Sequence, residues 1–180
     1  MIKLFKCMIC GEPLIGESTP SRCPFCGAYE KYMVEAQNTA LNWNLELTPK
    51  EIENVKSALK LEISNSNFYF CAAEKTTDLE GKQLFRALGK VEAEHANIWR
   101  RVLKNNSSEN STGDSCSMNY TDNLNESHTR EDNAINQYSK FESESLNPRL
   151  KILFKAVIEI EIDHLNLSEM RLKKDKAKAL

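Results

Sequence analysis

Glu92-Ala93-Glu94-His95 and Glu161-Ile162-Asp163-His164 repeat one pattern, an acid and an imidazole three positions apart, inside segments whose apolar residues recur at helical spacing. Residues three apart share a helix face, so each pair can grip one cation from one side. A lone pair of this kind is weak evidence, because such pairs are common on solvated helices. The surroundings decide the reading. A shift of 69 positions carries Glu62, Tyr69, Glu92 and His95 onto Glu131, Tyr138, Glu161 and His164. The same shift carries Leu84, Phe85 and Ala87 onto Leu153, Phe154 and Ala156. Agreement at chemically distinct positions marks an internal duplication of a helical hairpin.

Boundary signals give four helices. Thr48-Pro49-Lys50-Glu51 supplies a cap, a proline in the first turn and an acid three positions after the cap. The first helix runs to about Thr77, where Asp78-Leu79-Glu80-Gly81 breaks it, and the second runs from about Lys82 to Lys104. The third spans about Thr121 to Glu144. Asn147-Pro148 opens the fourth, which ends in the basic tail from Lys173 to Leu180. Glu62 and Glu92 are equally far from residue 77, and Glu131 and Glu161 from residue 146. In antiparallel hairpins each pair therefore meets at one level, roughly 22 Å from its turn.

The acids interrupt apolar stripes. One reads Ile52, Val55, Leu59, Glu62, Ser66, Tyr69, Ala73; the other reads Leu150, Leu153, Phe154, Val157, Glu161, His164, Leu165. A carboxylate buried in such a stripe demands a compensating cation. Four ionised glutamates with two neutral histidines are neutralised by two divalent ions. Solvated faces with accidental symmetry would leave the mid-stripe glutamates unexplained. Glu94, Glu159 and Asp163 fall off the ligand face and are expected in solvent. His128, one turn before Glu131, is expected at the surface or behind the ligands. Tyr69 and Tyr138 are expected either to hydrogen-bond the carboxylates or simply to pack in the core.

One Glu from each of two helices plus Glu-x-x-His from the other two is the ligand set of ferritin-like di-iron and di-manganese bundles, which carry one long crossover. Asn105 to Tyr120, polar and rich in Asn and Ser, spans roughly 50 Å when extended and fits that role. The expected fold is therefore mainly α: a ferritin-like four-helix bundle over residues 48–180, a connector over 35–47, and a small four-cysteine module over 1–34.

Cys7-Met8-Ile9-Cys10-Gly11 and Cys23-Pro24-Phe25-Cys26-Gly27 are paired Cys-x-x-Cys knuckles, a strong signal for a tetrahedral four-thiolate site. Spacing does not choose iron over zinc. On the cysteines alone a structural zinc ribbon is the favoured reading, whereas beside a di-metal bundle a one-electron iron centre serves better. Cys71 and Cys116 are expected to be unpaired: Cys71 as a small packing residue, Cys116 in the polar loop, neither with a role.

Composition closes off other classes. Hydrophobic residues make up 41%, charged ones 28%, and the net charge is -2, so nothing favours a nucleic-acid partner. No apolar run approaches a membrane span. Met1 to Cys7 lacks a signal-peptide core, which places the chain in the cytoplasm, where thiols stay reduced.

These residues resemble the rubrerythrin family with its domain order reversed, the rubredoxin-like module coming first. The two knuckles resemble the family's rubredoxin ligands; Glu62 with Tyr69, Glu92-x-x-His95, Glu131 and Glu161-x-x-His164 resemble its di-iron helices. The resemblance implies a homodimeric oxidoreductase that reduces hydrogen peroxide (or dioxygen) to water. Its cofactors would be two iron ions (or manganese) in the bundle and one iron (or zinc) on the cysteines. Its electrons would come from NAD(P)H through a partner reductase or from a rubredoxin. In such dimers one subunit's module can lie near the other's bundle. Ala134 stands where the family commonly has a further glutamate, which takes part in a redox-linked ligand exchange. Its absence moves the ligand set toward bacterioferritin and keeps a ferroxidase or iron-handling role in view. A zinc-knuckle binding protein without catalysis is the third reading.

Overall fold

Thr48 starts the bundle. Its hydroxyl accepts from the Glu51 amide at 3.2 Å, while Glu51 accepts from the Thr48 amide at 2.8 Å, closing a capping box ahead of Pro49. The other Glu51 oxygen accepts from the Leu146 and Asn147 amides at 2.8 and 2.7 Å. One carboxylate thus caps the first helix and tethers the entry to the fourth.

The computed structural model describes residues 1–38, 41–104 and 115–178. Four long helices follow one another: α1 (Pro49–Lys75), α2 (Leu79–Leu103), α3 (Tyr120–Glu144) and α4 (Pro148–Lys178). The segment expected to break the first helix mostly belongs to the second. Asp78 N-caps α2 by accepting from the Gly81 amide at 2.5 Å, so the hairpin turn is only Thr76 to Asp78. Asn119 caps α3 in the same way, accepting from the Asp122 amide at 3.0 Å.

Side-chain contacts fix the helix directions. Tyr69 of α1 bonds Glu131 of α3, and Tyr138 of α3 bonds Glu62 of α1, so these two helices run antiparallel. Each helix is also antiparallel to its hairpin partner, which makes the order up, down, down, up. The chain must therefore travel the length of the bundle between α2 and α3, the single long crossover of a ferritin-like bundle. Most of the expected crossover lies outside the described residues.

The N-terminal module is more than turns around a metal. Strands β1 (Lys3–Cys7), β2 (Pro13–Gly16) and β3 (Met33–Glu35) form an antiparallel sheet in the order β2-β1-β3. Gly11 and Gly27, at φ 86° and 78°, let each knuckle turn back on itself; the Gly11 amide donates to the Cys7 carbonyl at 2.9 Å and the Gly27 amide to the Cys23 carbonyl at 2.9 Å. One core cluster runs from Ile9, Ala28 and Met33 into Ala96, Phe154 and Ile160, so module and bundle share a hydrophobic interior.

Two expectations need correction. Ile52, placed on the buried stripe, is 36% exposed, because α1 turns its first apolar residue outward beside the connector. Cys71 and Cys116 are joined as a disulfide. The antiparallel course of α3 brings the end of the crossover beside the last turns of α1, a proximity that helical spacing alone does not reveal. Among the described residues no helix is long and apolar enough to cross a membrane.

Candidate metal centres

The duplicated hairpins turn Glu62, Glu92, Glu131 and Glu161 inward with no exposed surface, together with His95 (fully buried) and His164 (8% exposed). Their ligand atoms form two groups: Glu62, Glu92, His95 and Glu161 in one, Glu92, Glu131, Glu161 and His164 in the other, each with its atoms within 4.8 Å of one another. Glu92 and Glu161 belong to both. His95 Nδ1 lies 3.2 Å from Glu92 and 3.1 Å from Glu161; His164 Nδ1 lies 2.9 and 3.0 Å from the same two residues. Atoms bound at right angles to one cation at about 2.1 Å stand about 3 Å apart. The spacing therefore suits two adjacent ions.

Unsatisfied polar atoms point the same way. Glu62 Oε2 and Glu131 Oε2 are buried without a hydrogen bond among the described residues, while Glu92 Oε1 and Glu161 Oε1 face His164 Nδ1 at 2.9 Å and His95 Nδ1 at 3.1 Å. Such groups are costly unless something else satisfies them. Without cations only protons can balance the cluster. Burial, then Glu92 and Glu161, push Glu62 well above the usual carboxylate range; burial, then Glu161 and Glu92, do the same to Glu131. Burial opposes charge on both histidines, but the adjoining glutamates outweigh it and hold both imidazoles well above their ordinary values. Burial also opposes charge on Glu92 and Glu161, yet the histidines keep both below the normal range. Two divalent cations can take the place of those four protons.

Behind the acids, Tyr138 donates to Glu62 and Tyr69 to Glu131. Burial, then the adjoining glutamate, raises each phenol well above its usual value, so both remain donors. Of the two expectations for these tyrosines, the structure has the hydrogen-bonded one. His128 sits at the surface, 3.4 Å from Glu169.

The knuckles converge as well. Cys7 and Cys26 Sγ lie 3.7 Å apart, and Cys10 and Cys23 Sγ 3.8 Å, with all four cysteines buried. Tetrahedral thiolates on a metal at about 2.3 Å stand about 3.8 Å apart. Hydrogen bonds from neighbouring cysteines lower the Cys7 and Cys23 thiols and push Cys10 and Cys26 up. Four sulfurs at this spacing do not all ionise unless a cation joins them.

One side chain links the two clusters. His95 directs Nδ1 at the carboxylates and donates from Nε2 to the Cys26 carbonyl at 3.0 Å. The module is held around this contact by residues whose roles spacing does not suggest. Arg101 donates to the Cys10 carbonyl and Arg149 to the Met8 carbonyl, and both guanidiniums stand 5.8 Å from the Trp43 ring. Glu94, Glu159 and Asp163 are not simply solvated. Glu94 lies 3.5 Å from Arg101, Glu159 meets Lys31 and Tyr32, and Asp163 meets Arg22 and Tyr29. Being off the ligand face, they point at the module that the helices carry. Gly27 completes the fit; a Cβ there would lie 3.0 Å from Ile160.

A family model described as rubrerythrin matches residues 53–172. Reverse rubrerythrin-1 of Clostridium acetobutylicum is 27% identical over 114 aligned positions, covering 57% of this chain and 62% of that protein. The chain thus spans less than two thirds of the length of this relative. No solved structure matches significantly.

Proposed function

The chain belongs to the rubrerythrin family, and on that premise we propose that it is a peroxidase, reducing hydrogen peroxide to water with electrons relayed through its four-cysteine centre. The single observation that carries this reading is His95, whose ring touches the carboxylate cluster with one nitrogen and the Cys26 carbonyl with the other. Under this reading Glu62, Glu92, His95 and Glu161 would hold one iron ion, Glu92, Glu131, Glu161 and His164 a second, and the thiolates of Cys7, Cys10, Cys23 and Cys26 a third. Iron held there would supply the electrons for reducing the peroxide, and iron held by the thiolates would supply their replacement.

The protein's own groups divide the remaining work. Tyr138 and Tyr69 orient the capping carboxylates by hydrogen bonding. Burial of all four acids excludes bulk water. On the His95 side, Trp99 Nε1 donates to the Tyr138 hydroxyl at 3.1 Å, which directs that phenol's proton to Glu62. On the His164 side, Tyr69 meets Ser127 at 2.8 Å, and Ser127 meets Ser168 at 2.7 Å. Those hydroxyls can pass a proton toward Glu131, where forming water requires one. The two halves of the duplicated site thereby specialise: electrons enter at His95, while protons and a small oxidant reach His164.

Ala134 supports a second reading, that of a ferroxidase or iron-handling protein. It is fully buried three residues after Glu131 and offers no further carboxylate. One experiment separates the two. Iron-loaded protein, reduced without oxygen, is mixed with stoichiometric peroxide. A peroxidase regains its ferric-thiolate colour rapidly and turns over continuously with a reductase; an iron-handling protein accumulates ferric mineral. Unchanged peroxide consumption in Glu92→Ala would overturn the site assignment.

A further inference from the structure

Cys71 and Cys116 belong to neither metal cluster, yet their bond joins the two hairpins that together hold the carboxylates. Cys71 lies two residues after Tyr69 on α1, and Cys116 lies on the end of the crossover, just ahead of α3. Both are half-buried, within reach of small oxidants and reductants. The segment carrying Cys116 is also held in place without the bond. Asn123 accepts from the Ser117 amide and donates to the Ser117 carbonyl, both at 2.9 Å, and the Asn119 amide donates to Ser117 Oγ at 3.0 Å. A reduced pair would therefore stay face to face at high effective concentration. Meanwhile Cys7, Cys10, Cys23 and Cys26 must remain free thiols to hold a metal, which calls for surroundings that keep thiols reduced. A disulfide in such surroundings is one that an oxidant makes and a reductant removes.

We propose that Cys71 and Cys116 form a reversible thiol–disulfide couple, oxidised by hydroperoxide, whose closure locks the two hairpins around the carboxylate cluster. One thiolate attacks the peroxide; the oxygen–oxygen bond breaks, leaving a sulfenic acid and, after protonation, one water. The second thiol then attacks that sulfur, the sulfur–sulfur bond forms, and the sulfenic oxygen leaves as a second water. Two thiols lose two electrons and the peroxide gains them. A dithiol reductant reverses the change by exchange and is itself oxidised to a disulfide. Closure ties α1 to the start of α3 beside the contact of Tyr69 with Glu131 and Ser127. The couple does not depend on peroxide turnover at the cluster.

The test uses full-length, iron-loaded protein, reduced with dithiothreitol and desalted without oxygen. Separate samples receive hydrogen peroxide or oxidised glutathione. Thiols are counted by alkylation and peptide mass mapping, and iron release to a ferrous chelator is timed. The expected result is a loss of two thiols per chain and a Cys71–Cys116 cross-linked peptide in both samples, reversed by dithiothreitol in the folded protein. Iron release should be slower from the form closed with oxidised glutathione than from the reduced form, a difference absent in Cys116→Ser. A cross-link that survives dithiothreitol in the folded protein, or equal iron release from both forms, overturns the proposal. Closure by oxidised glutathione but not by peroxide overturns hydroperoxide as the oxidant. Peroxide consumption is measured in the same samples and reports separately on the proposed peroxidase activity.

Discussion

Trp99 and Ser168 hold equivalent positions in the two hairpins, as do Ala58 and Ser127. The repeat keeps the six acids and imidazoles but changes what stands behind them. Tyr138 has the Trp99 ring nitrogen as its donor, with Ala58 at the position equivalent to Ser127; Tyr69 has the linked hydroxyls of Ser127 and Ser168. Ser127→Ala should therefore slow peroxide reduction by about tenfold or more while leaving iron content intact, as steady-state rates and metal analysis would show. Equal rates would remove the hydroxyls from the mechanism. Tyr138→Phe frees Glu62 from its donor and should weaken iron binding by about 10–100-fold, measured by competition with a chelator. The buried cluster of four glutamates and two histidines is legible in the sequence because solvated helices do not place the same acids and imidazoles twice within apolar stripes. Ser127 and Ser168 are not, since a buried serine leaves no periodic signal; only the failure of the repeat at those positions marks them.

At the scale of elements, Glu51 ties the open end of the first hairpin to the turn of the second. Burial raises its pKa, but the Asn147, Thr48 and Leu146 amides outweigh that effect and hold it below the usual carboxylate range. A carboxylate depressed in the folded state stabilises it above the unfolded value of about 4.3, and that contribution is lost as pH falls through the folded value. Glu51→Gln should accordingly cost about 1–3 kcal/mol near neutrality. Chemical denaturation should show the gap to wild type narrowing below about pH 4; a gap independent of pH would contradict the role. Helix existence and order follow from apolar spacing and caps. The α1–α2 turn does not, because Asp78-Leu79-Glu80-Gly81 carries both a breaker, Gly81, and a cap, Asp78, and in the folded chain the cap prevails. The sheet of the module is invisible to periodicity because strands of three to five residues are too short to show alternation.

At the scale of the molecule, the cysteine module rests on its own bundle rather than hanging from a linker. Sequence spacing shows both clusters but not their junction, since the contact of His95 with Cys26 joins residues 69 apart in the chain. The surface ion pairs around it contribute little individually; the shared core and the arginine contacts to the knuckle carbonyls hold the arrangement. Arg149 also sets a positive charge near the thiolates, favouring the more negative, reduced form of an iron held there. Arg149→Met should lower that centre's midpoint potential by tens of millivolts in a spectroscopic redox titration. An unchanged potential would confine Arg149 to docking.

The four buried acids and two imidazoles are tolerable together because cations lie between the two hairpins. Anomalous diffraction from crystals of protein purified without added metal, collected on both sides of the iron and zinc edges, tests this most directly. The expected map has two iron peaks about 3.5–4 Å apart, one beside His95 and one beside His164, both touching Glu92 and Glu161, and a further peak among the four cysteines. A map with no anomalous density in the bundle, and the four glutamates paired instead with protons and water, would contradict it.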